Sequence, residues 1–224
     1  MKILSFGDIH EDTSNLAKMQ SVLGSADLIL ISGDITNCHG KATVKTVLDA
    51  VRKYNTNLYA QYGNMDLPEV NKYLTDEGIN LHGYGYIFKD VGIFGCGGSS
   101  PTPFHTPSEI SETEIERCLT NGFKMVEPMR WKIMVCHTPP KDTKIDMIRG
   151  GAHVGSDSVK RFIEKRHPDV CISGHIHESR GQDKIGNTLV LNAGMFRDGW
   201  YIEIIIAEEG ITASLKSVDY RTME

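Results

Sequence analysis

Short, continuous apolar runs alternate along the chain with longer segments in which apolar residues recur at helical spacing. The apolar runs predict buried strands, and they occupy residues 2–6, 28–32, 57–61, 131–136 and 169–173. Val44, Val47, Leu48 and Val51 follow an i, i+3, i+4, i+7 pattern that is typical of an amphipathic helix. The first half of the chain therefore reads β-α-β-α-β-α, which predicts a parallel sheet covered by helices on both faces.

The remaining pattern predicts further helices and hairpins. Ser14 is a plausible cap for the first helix, Leu67-Pro68 opens the third, and another begins near Ser156. Paired β segments are expected near 85–89 and 91–96, then at 200–207 and 211–218, with a single segment at 187–191. The stretch 97–130 is rich in Gly, Ser, Pro and Thr and contains a helix that starts with the capping box Ser111–Glu114. We interpret residues 97–130 as an insertion over one end of the sheet, within a single domain that spans 1–224.

Composition and charge narrow the classes of partner. The 224 residues carry a formal net charge of −5, which favours neither a nucleic-acid polymer nor an anionic membrane as partner. No apolar run approaches the length that spans a bilayer. The five scattered cysteines are expected to be buried free thiols in a reducing compartment, so we expect a cytoplasmic protein. The apolar segment 200–206 is either core or the edge of a homo-oligomer.

Polar side chains follow five of the predicted strands. They are Asp8 and His10, Asp34, Asn64, His137, and His175 with His177. Because ligands bind beyond the carboxyl ends of strands in open α/β sheets, these seven side chains are expected to converge in one crevice. Seven N/O ligands exceed one four-coordinate site and fit two divalent cations. Mixed imidazole and carboxylate ligands favour Mn, Fe, Zn, Co or Ni, and such a pair acts on phosphorus by in-line displacement. Taken alone, Gly174–His177 fits two surface histidines in a turn equally well.

The order of these motifs resembles that of the calcineurin-like metallophosphoesterase family. Asp8-x-His10, Gly33-Asp34, Gly63-Asn64-x-Asp66, His137 and Gly174-His175-x-His177 follow the family's sequence of motifs. The resemblance implies a four-layer α/β/β/α sandwich of two mixed β-sheets flanked by helices. It further implies that Asp8, His10 and His177 bind one metal, that Asn64, His137 and His175 bind the other, and that Asp34 bridges them. Asp34, Asn64 and His137 are thus the expected catalytic residues. Residues 33–38 also resemble the small phosphodiesterase-type branch of the family.

Met65 departs from the family pattern, which usually has Gly-Asn-His at this place. That histidine stabilises the transition state or protonates the leaving oxygen in the family, and a thioether can do neither. The resemblance implies a preference for diesters, because some family members that differ at this position favour them. We therefore expect a phosphodiesterase for a small phosphodiester, in which a metal-bridging hydroxide attacks phosphorus. The alternatives are a non-catalytic, metal-bound binding or scaffold module of the same fold, and a weak phosphomonoesterase.

Further residues are candidates for contact with substrate. His39 follows Asp34 by five residues and is a possible catalytic residue, although a plain loop histidine is the alternative. His105 and Arg197 are candidates for substrate binding, against an ordinary surface position for each. Asp66 either supports the metal ligands or caps the helix that opens at Leu67. His82 is interpreted as structural.

Overall fold

Two mixed β-sheets pack face to face in the computed structural model, which describes residues 1–218. The first sheet has five strands in the order β11-β10-β1-β2-β3. The strands are β1 Lys2–Phe6, β2 Leu28–Ile31, β3 Leu58–Ala60, β10 Trp200–Ile206 and β11 Ile211–Ser217. β1, β2 and β3 run parallel, whereas β10 pairs antiparallel with both β1 and β11. β1 is thus an interior strand, with Ile3 opposite Leu28 on one side and Ile204 on the other.

The second sheet has six strands in the order β4-β5-β6-β7-β9-β8. They are β4 Gly85–Phe88, β5 Val91–Cys96, β6 Trp131–Cys136, β7 Val170–Ser173, β8 Gly181–Ile185 and β9 Thr188–Asn192. The four central strands are parallel, and the two edge strands β4 and β8 are antiparallel to their neighbours. The carboxyl ends of β5, β6, β7 and β9 therefore lie along one edge of the sheet.

Helices cover the outer face of each sheet. They are α1 Gln20–Gly24, α2 Lys41–Arg52, α3 Pro68–Asp76, α4 Glu112–Val126 and α5 Asp157–Arg166. The first three pack on the five-stranded sheet, where Ile29 and Ile31 meet the apolar face of α2. α4 and α5 pack on the six-stranded sheet and against each other.

Strand periodicity explains the inner layer. Leu28 and Leu30 point to the face of β2 opposite to Ile29 and Ile31, because successive strand residues alternate. They lie in a core between the sheets with Ile133 and Ile172 of the second sheet. The order of layers is helix, sheet, sheet, helix, and the predicted four-layer α/β/β/α sandwich is confirmed.

Two predicted elements differ from the structure. The first helix is only Gln20–Gly24, and Ser14 does not cap it: its N–H donates to Asp12 Oδ1 at 3.0 Å in a series of turns. The strand β8, Gly181–Ile185, was not predicted, because an edge strand with the sequence Gly-Gln-Asp-Lys-Ile carries no continuous apolar run. Ser111 and Ser156 do cap α4 and α5 as expected.

The segment 97–130 has two parts with different positions. α4 is the crossover between the parallel strands β5 and β6, so it covers the face of the sheet. The preceding loop, 97–111, lies at the carboxyl ends of the strands. There the Ser108 N–H donates to the Asn64 carbonyl oxygen at 3.0 Å, and the Ser100 N–H donates to Thr138 Oγ1 at 3.3 Å. The loop is therefore attached to the segments that follow β3 and β6.

Between residues 1 and 218, no helix has the length and apolar character that crossing a bilayer requires.

Candidate metal centre

The seven strand-end side chains come from both sheets. Asp8 and His10 follow β1, Asp34 follows β2 and Asn64 follows β3, all in the five-stranded sheet. His137 follows β6 and the pair His175 and His177 follows β7 in the other sheet. The sheets are joined directly here, since His137 Nδ1 lies 2.9 Å from the Ser32 carbonyl oxygen.

Asp8, His10, Asp34 and His177 form one cluster. One ligand atom of each lies within 4.8 Å of the others. His177 Nε2 is 3.2 Å from Asp8 Oδ1 and 3.3 Å from His10 Nε2, and His10 Nε2 is 3.8 Å from Asp34 Oδ2. Ligands bound at about 2.0–2.2 Å to one cation stand roughly 3.0–3.5 Å apart. The observed separations therefore surround a space of the size of one divalent ion.

His137, Asn64 and Asp34 form a second group that shares Asp34 with the first. His137 Nε2 lies 3.1 Å from Asn64 Oδ1 and 3.4 Å from Asp34 Oδ2. The ring of His175 lies beside that of His137, with 5.4 Å between centroids. Asp34 Oδ2 is thus within 4 Å of an imidazole nitrogen on each side.

Hydrogen bonds fix which ring nitrogen of two histidines is free to bind a metal. His137 Nδ1 donates to the Ser32 carbonyl oxygen, and His10 Nδ1 donates to Asn37 Oδ1 at 2.9 Å. Asn37 Nδ2 in turn donates to the His10 carbonyl oxygen at 3.0 Å, which orients the amide. In each ring Nε2 is left as the ligand atom, and a partner on the other nitrogen is typical of metal-binding histidines.

Four of the seven residues have a left-handed backbone. The φ angles are 48° for Asp8, 48° for His10, 47° for Asp34 and 70° for His175. This region costs a residue with a side chain about 1–2 kcal/mol. Its concentration at these positions is typical of a functional site, where the surrounding fold and the bound group hold the strained geometry.

Two glycines allow the backbone to approach the carboxylates. A Cβ on Gly63 would stand 2.1 Å from Asp34 Oδ1, and a Cβ on Gly174 would stand 2.4 Å from Asp8 Oδ2. Both contacts are far inside van der Waals distance. Any side chain at either position would therefore displace a candidate ligand.

Asp66 supports the segments that carry Asp34 and Asn64. Its carboxylate accepts the N–H groups of Gly63, Ile35 and Thr36 at 2.7–3.1 Å, and it is fully buried. It does not cap α3, for which Leu67 is the capping position and makes no side-chain hydrogen bond. Of the two interpretations from sequence, the supporting role is the one the structure shows.

Burial and neighbouring charges together shift the pKa values of the buried groups in the centre. Burial disfavours ionised Asp34, but the attraction of His137 outweighs it and lowers the pKa of this carboxyl to about 2. Burial likewise disfavours charged His137, but Asp34 outweighs it and raises the pKa of the imidazole to about 9. Burial, reinforced by the charge of Asp34, raises the pKa of Asp66 to about 7. Burial and His137 together lower the pKa of His175 to about 4, which favours the neutral, ligating form.

The residues present fit a pair of divalent cations. All donors are imidazole nitrogens and carboxylate or amide oxygens, and Asp34 lies between the two groups. Such ligands favour divalent transition metals. The separations, the orientation of the rings and the closely approaching glycines agree with that interpretation.

The other sequence candidates lie at different positions. Arg197 lines a cavity of about 370 Å³ together with His10, His177 and Asn37. His39 Nδ1 instead pairs with Glu11 Oε1 at 2.6 Å, and its side chain is more than half exposed. His105 lies in an exposed turn of the loop 97–111. The structure thus brings Arg197 beside the ligand cluster, whereas His39 has a carboxylate partner of its own.

Two supporting residues were missed in the sequence. Asn37 orients His10, and its position in the loop after Asp34 gave no separate signal. Asn192 holds the turn that carries the two C-terminal histidines: its Nδ2 donates to the Ile176 carbonyl oxygen at 2.9 Å. Asn192 ends β9, the neighbour of β7, so the rule that polar residues at strand ends build the site would have found it.

Comparison with known proteins gives the same family as the motif order. A family model described as calcineurin-like phosphoesterase matches residues 1–179. An uncharacterized protein of Methanocaldococcus jannaschii, MJ1162, is 34% identical over 196 residues, covering 86% of this chain and 87% of its own length.

Solved structures share the fold. TT1561 of Thermus thermophilus superimposes with a TM-score of 0.72 at 18% identity, covering 97% of this chain and 98% of that one. The purple acid phosphatase PPD1 from yellow lupin (Lupinus luteus) seeds gives a TM-score of 0.62 at 11% identity over 98% of this chain and 52% of its own. At these identities the likeness concerns the fold alone.

Proposed function

The chain belongs to the calcineurin-like phosphoesterase family, and on that premise we propose that it is a two-metal phosphodiesterase that hydrolyses a small phosphodiester. The family supports metal-dependent phosphoester hydrolysis at a binuclear centre. The observation that carries the proposal is the position of Asp34, whose Oδ2 lies within 4 Å of His10 Nε2 in one ligand group and of His137 Nε2 in the other.

The proposed ligand sets follow the two groups. Asp8, His10 and His177 hold the first cation; Asn64, His137 and His175 hold the second; Asp34 contacts both. When bound, the cations supply an acidified water as nucleophile and positive charge for the phosphoryl oxygens. Ser32 and Asn37 keep the Nε2 lone pairs of their histidines directed at the metals.

A cavity beside the first ligand group is the proposed substrate site. Its volume of about 370 Å³ suits a small ester. Arg197 lines it and would pair with non-bridging phosphate oxygens in a bidentate manner. The backbone at this position is fixed, because Asn15 Nδ2 donates to the Arg197 carbonyl oxygen at 2.8 Å.

Met65 favours the diester. It occupies the position where a histidine would assist the leaving oxygen, and its thioether donates no proton. A diester carries one negative charge, and an acidic leaving group needs little protonation. A monoester dianion lacks both advantages, so we expect it to react more slowly.

The test combines elemental analysis with matched substrates. Purified protein is analysed for transition metals and assayed with manganese on bis-nitrophenyl phosphate, on nitrophenyl phosphate and on a panel of cyclic nucleotides. Two equivalents of metal with faster hydrolysis of the diester are expected. Faster hydrolysis of the monoester would make the protein a phosphomonoesterase, and two bound metals without turnover of any ester would make it a binding module.

A further inference from the structure

A second cluster of reactive side chains lies apart from the seven metal ligands. His82 precedes β4, Cys96 ends β5, and Cys118 lies in α4. One ring nitrogen of His82 and the two Sγ atoms all lie within 4.8 Å of one another. His82 Nε2 is 3.2 Å from Cys118 Sγ, and the Cys96 thiol donates to the Gly97 carbonyl oxygen at 3.6 Å. All the cysteines of the protein are free.

The backbone sets the tautomer of His82. The Gly97 N–H donates to His82 Nδ1 at 3.1 Å, so this nitrogen carries the lone pair. The proton of the neutral ring is therefore on Nε2, which faces Cys118. His82 is thus a hydrogen-bond donor to the sulfur of Cys118.

This tautomer disfavours the alternative role of the cluster as a metal site. Two sulfurs and an imidazole are a plausible ligand set for a soft cation. Ligation through Nε2, however, would move the proton to Nδ1, where it would oppose the Gly97 N–H. Metal-binding histidines normally have an acceptor at this place.

The surroundings favour the thiolate of Cys118. The neighbouring Cys96 thiol, together with the donor His82, outweighs burial and lowers the pKa of Cys118 to about 5. Glu114, on the same helix with Oε1 3.8 Å from Cys118 Sγ, opposes this effect, but its carboxylate is paired with Arg117. The neighbouring sulfurs of Cys118 and Cys136, together with burial, raise the pKa of the Cys96 thiol.

A cavity borders the cluster. Its volume is about 570 Å³, and its lining includes His82, Cys118, Arg117 and Lys124. Cys118 is 4% exposed and lines the cavity, whereas Cys96 is 1% exposed and does not. Cys118 is therefore the cysteine that borders the cavity, and the Cys96 sulfur lies within 4.8 Å of its sulfur in the interior.

We propose that Cys118 is a redox-active thiolate. A hydroperoxide oxidises it, and Cys96 then reacts with the oxidised Cys118 to form a disulfide. The Cys118 sulfur attacks one oxygen of the peroxide, the O–O bond breaks, and the other oxygen leaves as hydroxide. Sulfur loses two electrons and becomes a sulfenic acid, while the peroxide gains them. The Cys96 sulfur then attacks the sulfenic sulfur; the S–S bond forms, and the S–O bond breaks with release of water that carries the Cys96 proton.

The first test is the pH profile of alkylation in the manganese-loaded full chain. Iodoacetamide modification of each cysteine is followed by mass spectrometry between pH 6 and 8, with N-acetylcysteine as reference. Below its pKa an ordinary thiol is alkylated roughly tenfold faster for each pH unit, so its rate rises about 10²-fold over this range. The rate at Cys118 is expected to change less than about twofold. A rise parallel to that of the reference overturns the proposal.

Variants of the two donors give the matched comparison. Cys96→Ser keeps an O–H donor and should keep the flat profile, whereas Cys96→Ala and His82→Leu should restore a pH-dependent one. Cys38→Ser, at an exposed cysteine outside the cluster, is the control and should leave the profile of Cys118 unchanged. A flat profile in both donor variants means that neither donor acts on Cys118, and this also overturns the proposal.

The second test identifies the product of hydrogen peroxide. Trypsin separates Cys96, in the peptide 90–117, from Cys118, in the peptide 118–124. Peroxide should join these two peptides in the natural protein, and in Cys96→Ser it should leave a sulfenic acid that dimedone traps at Cys118. Modification of Cys38 while Cys118 stays reduced overturns the proposal. The proposal is also overturned if the protein holds one zinc per chain that remains in Asp34→Asn and is lost in Cys118→Ser, because the cluster would then be a metal site.

Discussion

At the scale of single residues, Asp34 lies between the two groups of the candidate centre and is the ligand that we propose to bridge them. It is fully buried, and its Oδ1 accepts the Met65 N–H at 2.8 Å while Oδ2 faces His10 and His137. An amide at this position has the same shape but half the acceptor capacity and no charge. Asp34→Asn should therefore lose both metals, and turnover should fall by about 10³-fold or more, since metal charge supplies several kcal/mol of transition-state stabilisation.

The measurement for Asp34→Asn is metal content and diester turnover in the same preparation. Asp76→Asn is the control, because Asp76 is an exposed carboxylate of α3 that pairs only with Lys72 among the described residues. It should keep both metals. An Asp34→Asn protein with two metals and normal turnover would contradict the bridging role.

Met65 is the residue at which the substrate preference can be changed. Its backbone is held from both sides, since its N–H donates to Asp34 and its carbonyl accepts the Cys38 N–H at 2.8 Å. A new side chain can thus be introduced without moving the ligand segment. Met65→His should raise monoester turnover by about tenfold, below the 10²–10⁴-fold typical of an optimised general acid, and diester turnover much less.

Met65→Leu separates shape from proton donation in this experiment. Leucine fills a similar volume and, like methionine, offers no proton. Both variants are compared on matched nitrophenyl mono- and diesters with metal content measured. Equal gains for the two ester classes, or a gain in Met65→Leu, would show that the thioether is not what limits the monoester.

That the seven candidate ligand residues lie together could be predicted from sequence, because they follow apolar strands directly. The roles of the supporting residues could not be decided from sequence, because their partners are distant in sequence. The sequence left Asp66 open to a supporting role or a helix cap, and the tertiary fold decides it by bringing the N–H groups of Ile35 and Thr36 to its carboxylate. Asn37 is likewise meaningful only through its contact with His10.

At the scale of elements, the loop 97–111 is fixed at its base and exposed at its tip. Ser108 binds the segment after β3 through the carbonyl oxygens of Asn64 and Asp66, whereas Phe104 is 82% exposed. The tip can therefore be altered while the base stays in place. We expect this loop to influence which esters are accepted, since binding residues are often carried on such loops.

Variants of the tip test this role. Phe104→Ala and His105→Ala should change the ratio of rates across the ester panel by about twofold to tenfold, with two metals still bound. Ser108→Ala serves as the contrast, since loss of its bond to Asp66 acts on the ligand segment and should lower metal affinity. Unchanged ratios in both tip variants would show that the loop has no part in substrate choice.

The helix expected from Ser14 and the unpredicted strand β8 differ from the sequence pattern for separate reasons. The pattern predicted a helix from Ser14, but Asn15 uses its side chain to donate to the carbonyl oxygens of Phe196 and Arg197. The segment before Gln20 consequently forms turns. β8 has a polar sequence because it is an edge strand. Backbone pairing with β9, and not a continuous apolar run, holds it in the sheet.

At the scale of the whole molecule, the candidate metal centre lies between two sheets that share an apolar core. Four of its seven candidate ligand residues hold left-handed backbone conformations, and imidazole and carboxylate groups are buried together. We expect bound cations to offset both costs. Chelation should therefore lower the melting temperature by about 5–10 °C, since ligand at 100 times Kd contributes about 2.7 kcal/mol and each kcal/mol shifts a domain of this size by about 2–4 °C.

Differential scanning calorimetry with and without EDTA provides the measurement. Asp34→Asn is the control, because a protein that no longer binds metal has nothing to lose on chelation. Its melting temperature should be insensitive to EDTA. The idea fails if the natural protein melts at the same temperature in both buffers.

The interior position of β1 has a consequence for a chain that is made in one direction. β1 and Asp8 are synthesised first, but β10, which pairs with β1, comes near residue 200, and His177 follows Asp8 by 169 positions. During translation β1 leaves the ribosome with one edge unpaired and with Asp8 and His10, its two candidate metal ligands, without their partners. The first sheet cannot be completed until β10 has emerged, and the candidate metal centre cannot be completed until His177 has emerged, so a nascent chain that stalls earlier exposes an apolar strand edge to chaperones and to other nascent chains.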